Sequence, residues 1–296
     1  MNLSRFAVLA TVLVGQTGMA EAKVYKGAEI YSLDSVTHGR MEMRMRMIRG
    51  SGLLSTFFTY KNGSELTGAT WEELDIEVLG KNDATTWQSN IITGNPRMTS
   101  EQNHSSTESL ADGYHTYTLE WTPEYVSWSL DGVLVRKTEG GQVSSVTNPA
   151  SFRFNAWSHE ATAWVGALDE AALPAYQFVN WIKYYRYDNG QFVLDWTDDF
   201  DTLDRNRWSL ANWTFDGNLV DFDPANVVVQ DGTLILAITK DTATGFSGTV
   251  PKDEGSGGAS SGCSISGGQP PHGTIGICMM MAVLGLSALL RKRRGD

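Results

Sequence analysis

The chain has 296 residues and a formal net charge of -11 at pH 7. A carboxylate surplus of that size repels phosphate backbones and anionic bilayers, so nucleic acid and acidic membrane surfaces are excluded as partners, while a neutral substrate is compatible. Hydrophobic residues make up 41% of the chain, enough for one large β domain or two small ones, and ten Trp and ten Tyr supply the flat rings on which sugars stack.

The first residues, MNLSRFAVLATVLVGQTGMAEA, carry Arg5, an apolar run from Phe6 to Gly15 and an Ala20-Glu21-Ala22 exit. This is the layout of a secretory signal peptide, residues 1–22, cut after Ala22. The only cysteines, Cys263 and Cys278, lie in the C-terminal tail. The exported domain is therefore expected to stand without an internal disulfide, on a large core or a bound metal.

From about Lys23 to Lys240 the pattern is one of short alternating segments separated by turn residues. In GRMEMRMRMI the methionines Met41, Met43, Met45 and Met47 point one way and Glu42, Arg44 and Arg46 the other, which makes the methionine stripe core. The dipeptides Asn62-Gly63, Asp131-Gly132, Asp216-Gly217 and Asp231-Gly232 favour antiparallel hairpins. The expected fold is all-β, a two-sheet antiparallel β-sandwich over residues 23–250. A Gly/Ser-rich linker follows over 251–273, then the apolar TIGICMMMAVLGLSALL and the basic RKRR over 274–296, read as a membrane helix with a basic end. The protein is expected to be a monomer that meets the membrane only through this tail.

One strand stands apart. In ATWEELDIEVLGKN, residues 69–82, Glu73, Asp75 and Glu77 occupy every second position, with Leu74 and Ile76 between them and Trp71 on the acidic face. At roughly 3.3 Å per residue, the Cα atoms of Glu73 and Glu77 are about 13 Å apart, and side chains leaning together leave about 5 to 6 Å between carboxyl groups, near the separation of a retaining glycosidase. Asp75, on a shorter side chain between them, is placed to hydrogen-bond one glutamate and separate the two titrations.

With that motif in view the sequence resembles glycoside hydrolase family 16, and within it the bacterial lichenases that cleave mixed-linkage β-1,3-1,4-glucan. QSNIITG, YHTYTLEWTP, DGVLVRKTEGGQVS and FRFNAW extend the likeness from about Tyr25 to Tyr187. The resemblance implies a jelly-roll, concanavalin-like sandwich, with Glu73 as nucleophile, Glu77 as general acid/base and Asp75 assisting. It places sugar contacts at Phe58, Tyr60, Asn62, Gln88, Asn90, Arg153, Asn155, Trp157, Trp213 and Phe215, and a structural Ca2+ at Asn180, Asp199 and the carbonyl of Gly232. The tail resembles tripartite C-terminal sorting signals. Because DDFDTLDRNRW and LILAITK, which open a typical lichenase, stand here after Tyr187, the resemblance also implies a circularly permuted domain.

Trp164 and Trp181 fit either core or site, with Trp181 leaning to core, and His115 is expected near the site without a catalytic part. The leading expectation is an exported endo-hydrolase of β-glucan. A β-1,3-glucanase or glucan transglycosylase is the alternative, and from another class a non-catalytic glucan-binding surface protein.

Overall fold

A computed structural model of the protein describes residues 22–255. The expected leader, apart from Ala22, and the expected membrane helix lie outside these residues. Among the described residues no helix is long and apolar enough to cross a membrane.

Among the described residues the alternating segments form seventeen strands, and the helical pieces between them are short turns such as Thr162–Val165. Two antiparallel sheets pack face to face. The cleft sheet runs Trp208–Leu210, Tyr25–Ser32, Ser151–Ser158, Leu53–Tyr60, Trp71–Leu79 and Thr86–Gly94, with Met98–Thr99 and Gln102–Ser105 on its edge. The outer sheet runs Val133–Glu139, Tyr125–Leu130, His115–Trp121, Gly39–Arg46 and the long Ala175–Asp188. Beyond that strand, Thr233–Lys240 and Gln191–Asp198 share its far side, and Val227–Gln230 closes the edge. Residues 25–27 join the sheets at a corner, pairing in parallel with Val220–Phe222 and antiparallel with the end of Thr233–Lys240.

The core lies between the sheets. Met41, Met43 and Met45 from the outer sheet are fully buried in one cluster with Leu74, Ile76 and Val78 of the acidic strand and with Phe57 and Phe154. Sulfur chains without branches fill the uneven gap between two twisted surfaces. The tightest connections take the left-handed turn that such hairpins need, with positive φ at both Asp131 and Gly132, both Asn189 and Gly190, and both Asp231 and Gly232.

Residues 191–240 are strands of the same two sheets. Gln191–Asp198 and Thr233–Lys240 pair with Ala175–Asp188, Trp208–Leu210 pairs with Tyr25–Ser32, and Trp208 is buried against Phe154. The composition change at residue 251 comes before the packed chain ends. The segment after Lys240 crosses the outer sheet, with Phe246 edge-on to Tyr176 and Phe178. Asp253 then accepts two hydrogen bonds from the buried Arg44, at 2.9 and 2.7 Å, and one from the Asn180 amide at 2.9 Å. Without Asp253, the buried Arg44 charge would be left with only the longer pairing to Asp131 at 3.8 Å.

Arg44 holds the Asp253 carboxyl down to about 2. A pKa below the unfolded value of about 3.9 means that this clasp stabilises the fold above pH ~4 and is lost as pH falls through about 2. Asp253→Ala is expected to lower Tm at pH 7 by roughly 5 to 10 °C, with the two melting curves converging near pH 2. Equal Tm at pH 7 in calorimetry would show that the clasp carries no stability.

Candidate active site

The alternation that buries Leu74, Ile76 and Val78 delivers Glu73, Asp75 and Glu77 into a cleft of about 1240 Å³. Neighbouring strands set what faces each acid. Glu73 lies in register between Tyr60 and Ile92, Asp75 between Phe58 and Asn90, and Glu77 between Thr56 and Gln88. The strand is also tied across the core, where the buried Trp128 of the outer sheet donates its indole N–H to the Asp75 carbonyl at 2.9 Å. Arg136 covers the Trp128 ring at 4.7 Å and donates to the Ser89 carbonyl and hydroxyl, both at 3.0 Å.

Around Glu73, the Trp71 indole donates to Oε2 at 2.7 Å, and the Arg97 guanidinium lies 4.5 Å from the Trp71 ring. Arg153 lies 4.6 Å over Tyr60 and donates to Glu29 and Asn62, each at 3.0 Å. Asn155 donates to the other Glu29 oxygen at 3.1 Å. On the Glu77 side, Trp157 donates to Thr56 at 2.8 Å, and Trp164 donates to Gln88. Phe215 sits 5.4 Å from Trp157, and Trp213 sits 5.2 Å from Tyr31.

Burial of three carboxyls side by side drives their titrations apart. Burial first, and then the Glu73 charge, pushes Glu77 up to about 8. Asp75 is held well above the carboxylate range by burial and by both neighbours, and its Oδ1 is buried with no partner. Burial also raises Glu73, but hydrogen bonds from Asp75 and Trp71 and the charges of Arg153 and Arg97 oppose that rise. Of the three, Glu73 alone has groups working against the rise that burial imposes. Glu29 is pushed up to about 7 by burial, opposed by Arg153 and Asn155.

Of the residues expected from sequence, the three acids and Phe58, Tyr60, Gln88, Asn90, Arg153, Asn155, Trp157, Trp213 and Phe215 line this one cleft. Asn62 is not among the lining residues; its side-chain oxygen accepts from Arg153 and Ser151 and so holds Arg153 in place. His115 is not near the acids. It lies on the outer sheet and pairs with Asp131 at 2.7 Å. Trp164 belongs to the cleft, whereas Trp181 is a half-buried ring on the outer face under the Lys183 ammonium, 4.5 Å away, and not core.

Sequence reading missed Glu29, Glu65, Arg97 and His159 as lining residues. For Glu29 the signal was present, since Gly27, Glu29 and Tyr31 alternate with Ala28 and Ile30 just as the catalytic acids alternate with Leu74 and Ile76.

At the remote site, Asp199 and Gly232 come together, for a side chain on Gly232 would meet the Asp199 carbonyl at 3.8 Å and the Asp201 carboxylate at 3.9 Å. Asn180 falls between the residues that pair with Leu234 and Asp198, so the register brings it to the same corner. The donors there are carbonyl, amide and carboxylate oxygens, which fit a hard cation. Among the described residues no group of three His, Cys, Asp or Glu side chains could hold a metal.

An antiparallel sandwich whose cleft carries alternating, desolvated carboxyls is the architecture of a glycoside hydrolase. The chain matches glycosyl hydrolases family 16 over residues 9–183 and belongs to that family. It is 48% identical over 268 residues to a beta-glucanase of Fibrobacter succinogenes, covering 86% of this chain and 76% of that one. A beta-glucanase of Paenibacillus macerans is 34% identical over 58% of this chain and 69% of its own. The solved beta-glucanase of Bacillus licheniformis matches 53% of this chain and 71% of its own at 29% identity with a TM-score of 0.48.

Because the Glu73 charge raises Glu77, Glu73→Gln is expected to move the Glu77 titration down from about 8. Carboxyl 13C shifts followed against pH would measure it. A Glu77 titration that stays in place would show that the acids are not coupled.

Proposed function

We propose that the protein is an exported, endo-acting hydrolase of mixed-linkage β-1,3-1,4-glucan that works with retention of anomeric configuration. The observation that carries this reading is the Trp71–Leu79 strand, which presents Glu73, held by the Trp71 indole, and Glu77, pushed up to about 8, to one cleft. Glu73 attacks the anomeric carbon while Glu77 gives its proton to the departing glycosidic oxygen, forming a glycosyl ester on Glu73. Water then attacks the same carbon, Glu77 takes the water's proton as base, and the Glu73 carboxylate is released. Asp75, protonated between them, keeps the Glu73 charge in place.

Endo action is supported by a cleft of about 1240 Å³ bordered by aromatic rings, and β-glucan by the relatives, which are beta-glucanases. The unbroken Glu-x-Asp-x-Glu alternation, which the resemblance ties to lichenases, supports mixed linkage. Export is supported by the leader sequence. The permuted order is supported by two facts: the family match ends at residue 183, and the sandwich continues through Thr233–Lys240.

The enzyme is expected to release oligosaccharides from barley β-glucan and lichenan and to leave curdlan untouched. Glu77→Gln is expected to lose about 10² to 10⁴ in kcat on barley β-glucan. Release from curdlan alone would make it a β-1,3-glucanase, transfer to added oligosaccharide in preference to water would make it a transglycosylase, and full activity of Glu77→Gln would remove the mechanism.

We also propose that Asn180, Asp199 and Gly232 hold a structural Ca2+ away from the acids, where it would stiffen the corner between strands. Saturating calcium is then expected to raise Tm by roughly 5 to 10 °C over the chelated protein. Identical melting in calcium and in chelator would dismiss the site.

A further inference from the structure

Trp213 and Phe215 are the most exposed aromatic rings of the cleft, at 37% and 43%, and both stand on a loop outside any strand. Rings so placed need something to hold their backbone. The loop's main-chain ties run from Phe222 to the Trp213 carbonyl, from Glu160 to the Gly217 carbonyl and from Leu219 to the Ser158 carbonyl, each at 2.9 Å, and from Asn218 to the Phe215 carbonyl at 3.2 Å. These hold the ends and the turn after Phe215 and leave Thr214, between the two rings, exposed.

The side chain that closes this gap comes from the other end of the sequence. Lys23 Nζ donates to Thr214 Oγ1 and to the Asn218 carbonyl, both at 2.6 Å. Thr214 Oγ1 in turn donates to the Val220 carbonyl at 2.8 Å. The Lys23 backbone nitrogen donates to Asp221 Oδ2 at 2.9 Å, the same oxygen that takes the Lys26 ammonium at 2.9 Å. One residue thus bridges the tip of the aromatic loop, its far end and the strand that follows it.

We propose that Lys23 is a positioning residue for glucan binding: its ammonium fastens the 213–218 loop so that Trp213 and Phe215 face the sugar chain. Its place is a consequence of the chain path, since residues 25–27 pair with Val220–Phe222 and so bring Lys23 beside the loop. If the leader is cut after Ala22, the nitrogen on Asp221 becomes the α-ammonium of the mature chain, and the backbone contact becomes a charge-assisted one.

The inference rests on the cleft binding a glucan, and two readouts separate it from that reading. The first needs no substrate. In hydrogen exchange of the full-length mature protein, Lys23→Ala is expected to speed exchange of the amides of residues 213–219 while those of the Trp71–Leu79 strand are unchanged, and Lys23→Arg to restore protection. The second is kinetic. Lys23→Ala is expected to raise KM on barley β-glucan by about 3- to 10-fold, the weight of one or two such hydrogen bonds, with kcat within about twofold. Thr214→Val, which removes the acceptor without touching the N-terminus, is expected to act in the same direction. In a protein already carrying Trp213→Ala and Phe215→Ala, Lys23→Ala is expected to add nothing, because residues acting through one element are not additive. Unchanged loop exchange, a lower Tm with KM intact, or a full additive effect without the two rings would each overturn the proposal.

Discussion

The structure depends on the two-residue repeat of one strand. Leu74, Ile76 and Val78 must enter the core for the sheets to close, and the same backbone then has no choice but to send Glu73, Asp75 and Glu77 to the opposite face. A slip of one residue would bury three acids between the sheets. Pairing on both sides, with Leu53–Tyr60 and with Thr86–Gly94, makes that slip inaccessible. The Trp128 indole fixes the middle of the strand from the opposite sheet. Fold stability and site geometry therefore share one cause.

The cost of that arrangement is desolvation, and the cleft is organised around it. Three carboxyls brought together away from water cannot all ionise, so each takes a state set by its neighbours. Glu73 has an indole and two guanidinium groups at hand, Glu77 has a neighbouring negative charge, and Asp75 lies between two acids. Glu29 repeats the motif one layer out, where it holds Arg153 and Asn155. Arg153 in turn is enclosed by the rings of Tyr60, Tyr31 and Trp213. The electrostatics of the acids is thus carried outward into the aromatic wall.

Much of this was legible from period-two patterning, because a half-buried strand writes both its faces into the sequence. The methionine stripe, the acidic strand and the tight turns at Asp131-Gly132 and Asp231-Gly232 are local signals, and the structure bears them out, whereas Asp216-Gly217 joins two strands that pair with Tyr25–Ser32 and not with each other. What escaped depends on pairing between distant segments. Nothing near His115 says that it faces Asp131 on the outer sheet, and Asn62 reads as a sugar contact until Arg153 is found upon it. Trp181 differs, because the lysine that covers it, Lys183, stands two residues along the same strand and was a local signal left unread. Asp253 was hidden for a different reason. It lies where composition turns to linker, and its partners Arg44 and Asn180 are distant in the sequence. The expected leader, apart from Ala22, and the apolar tail lie outside the described residues.

The central claim is that Glu73 and Glu77 act as nucleophile and acid/base in a double displacement. Following the anomeric proton of the newly formed reducing end by NMR in the first turnovers on barley β-glucan tests it most directly. The account predicts that the β-anomer forms first and then mutarotates. Initial release of the α-anomer would mean a single displacement by water, and would contradict the roles given to both glutamates.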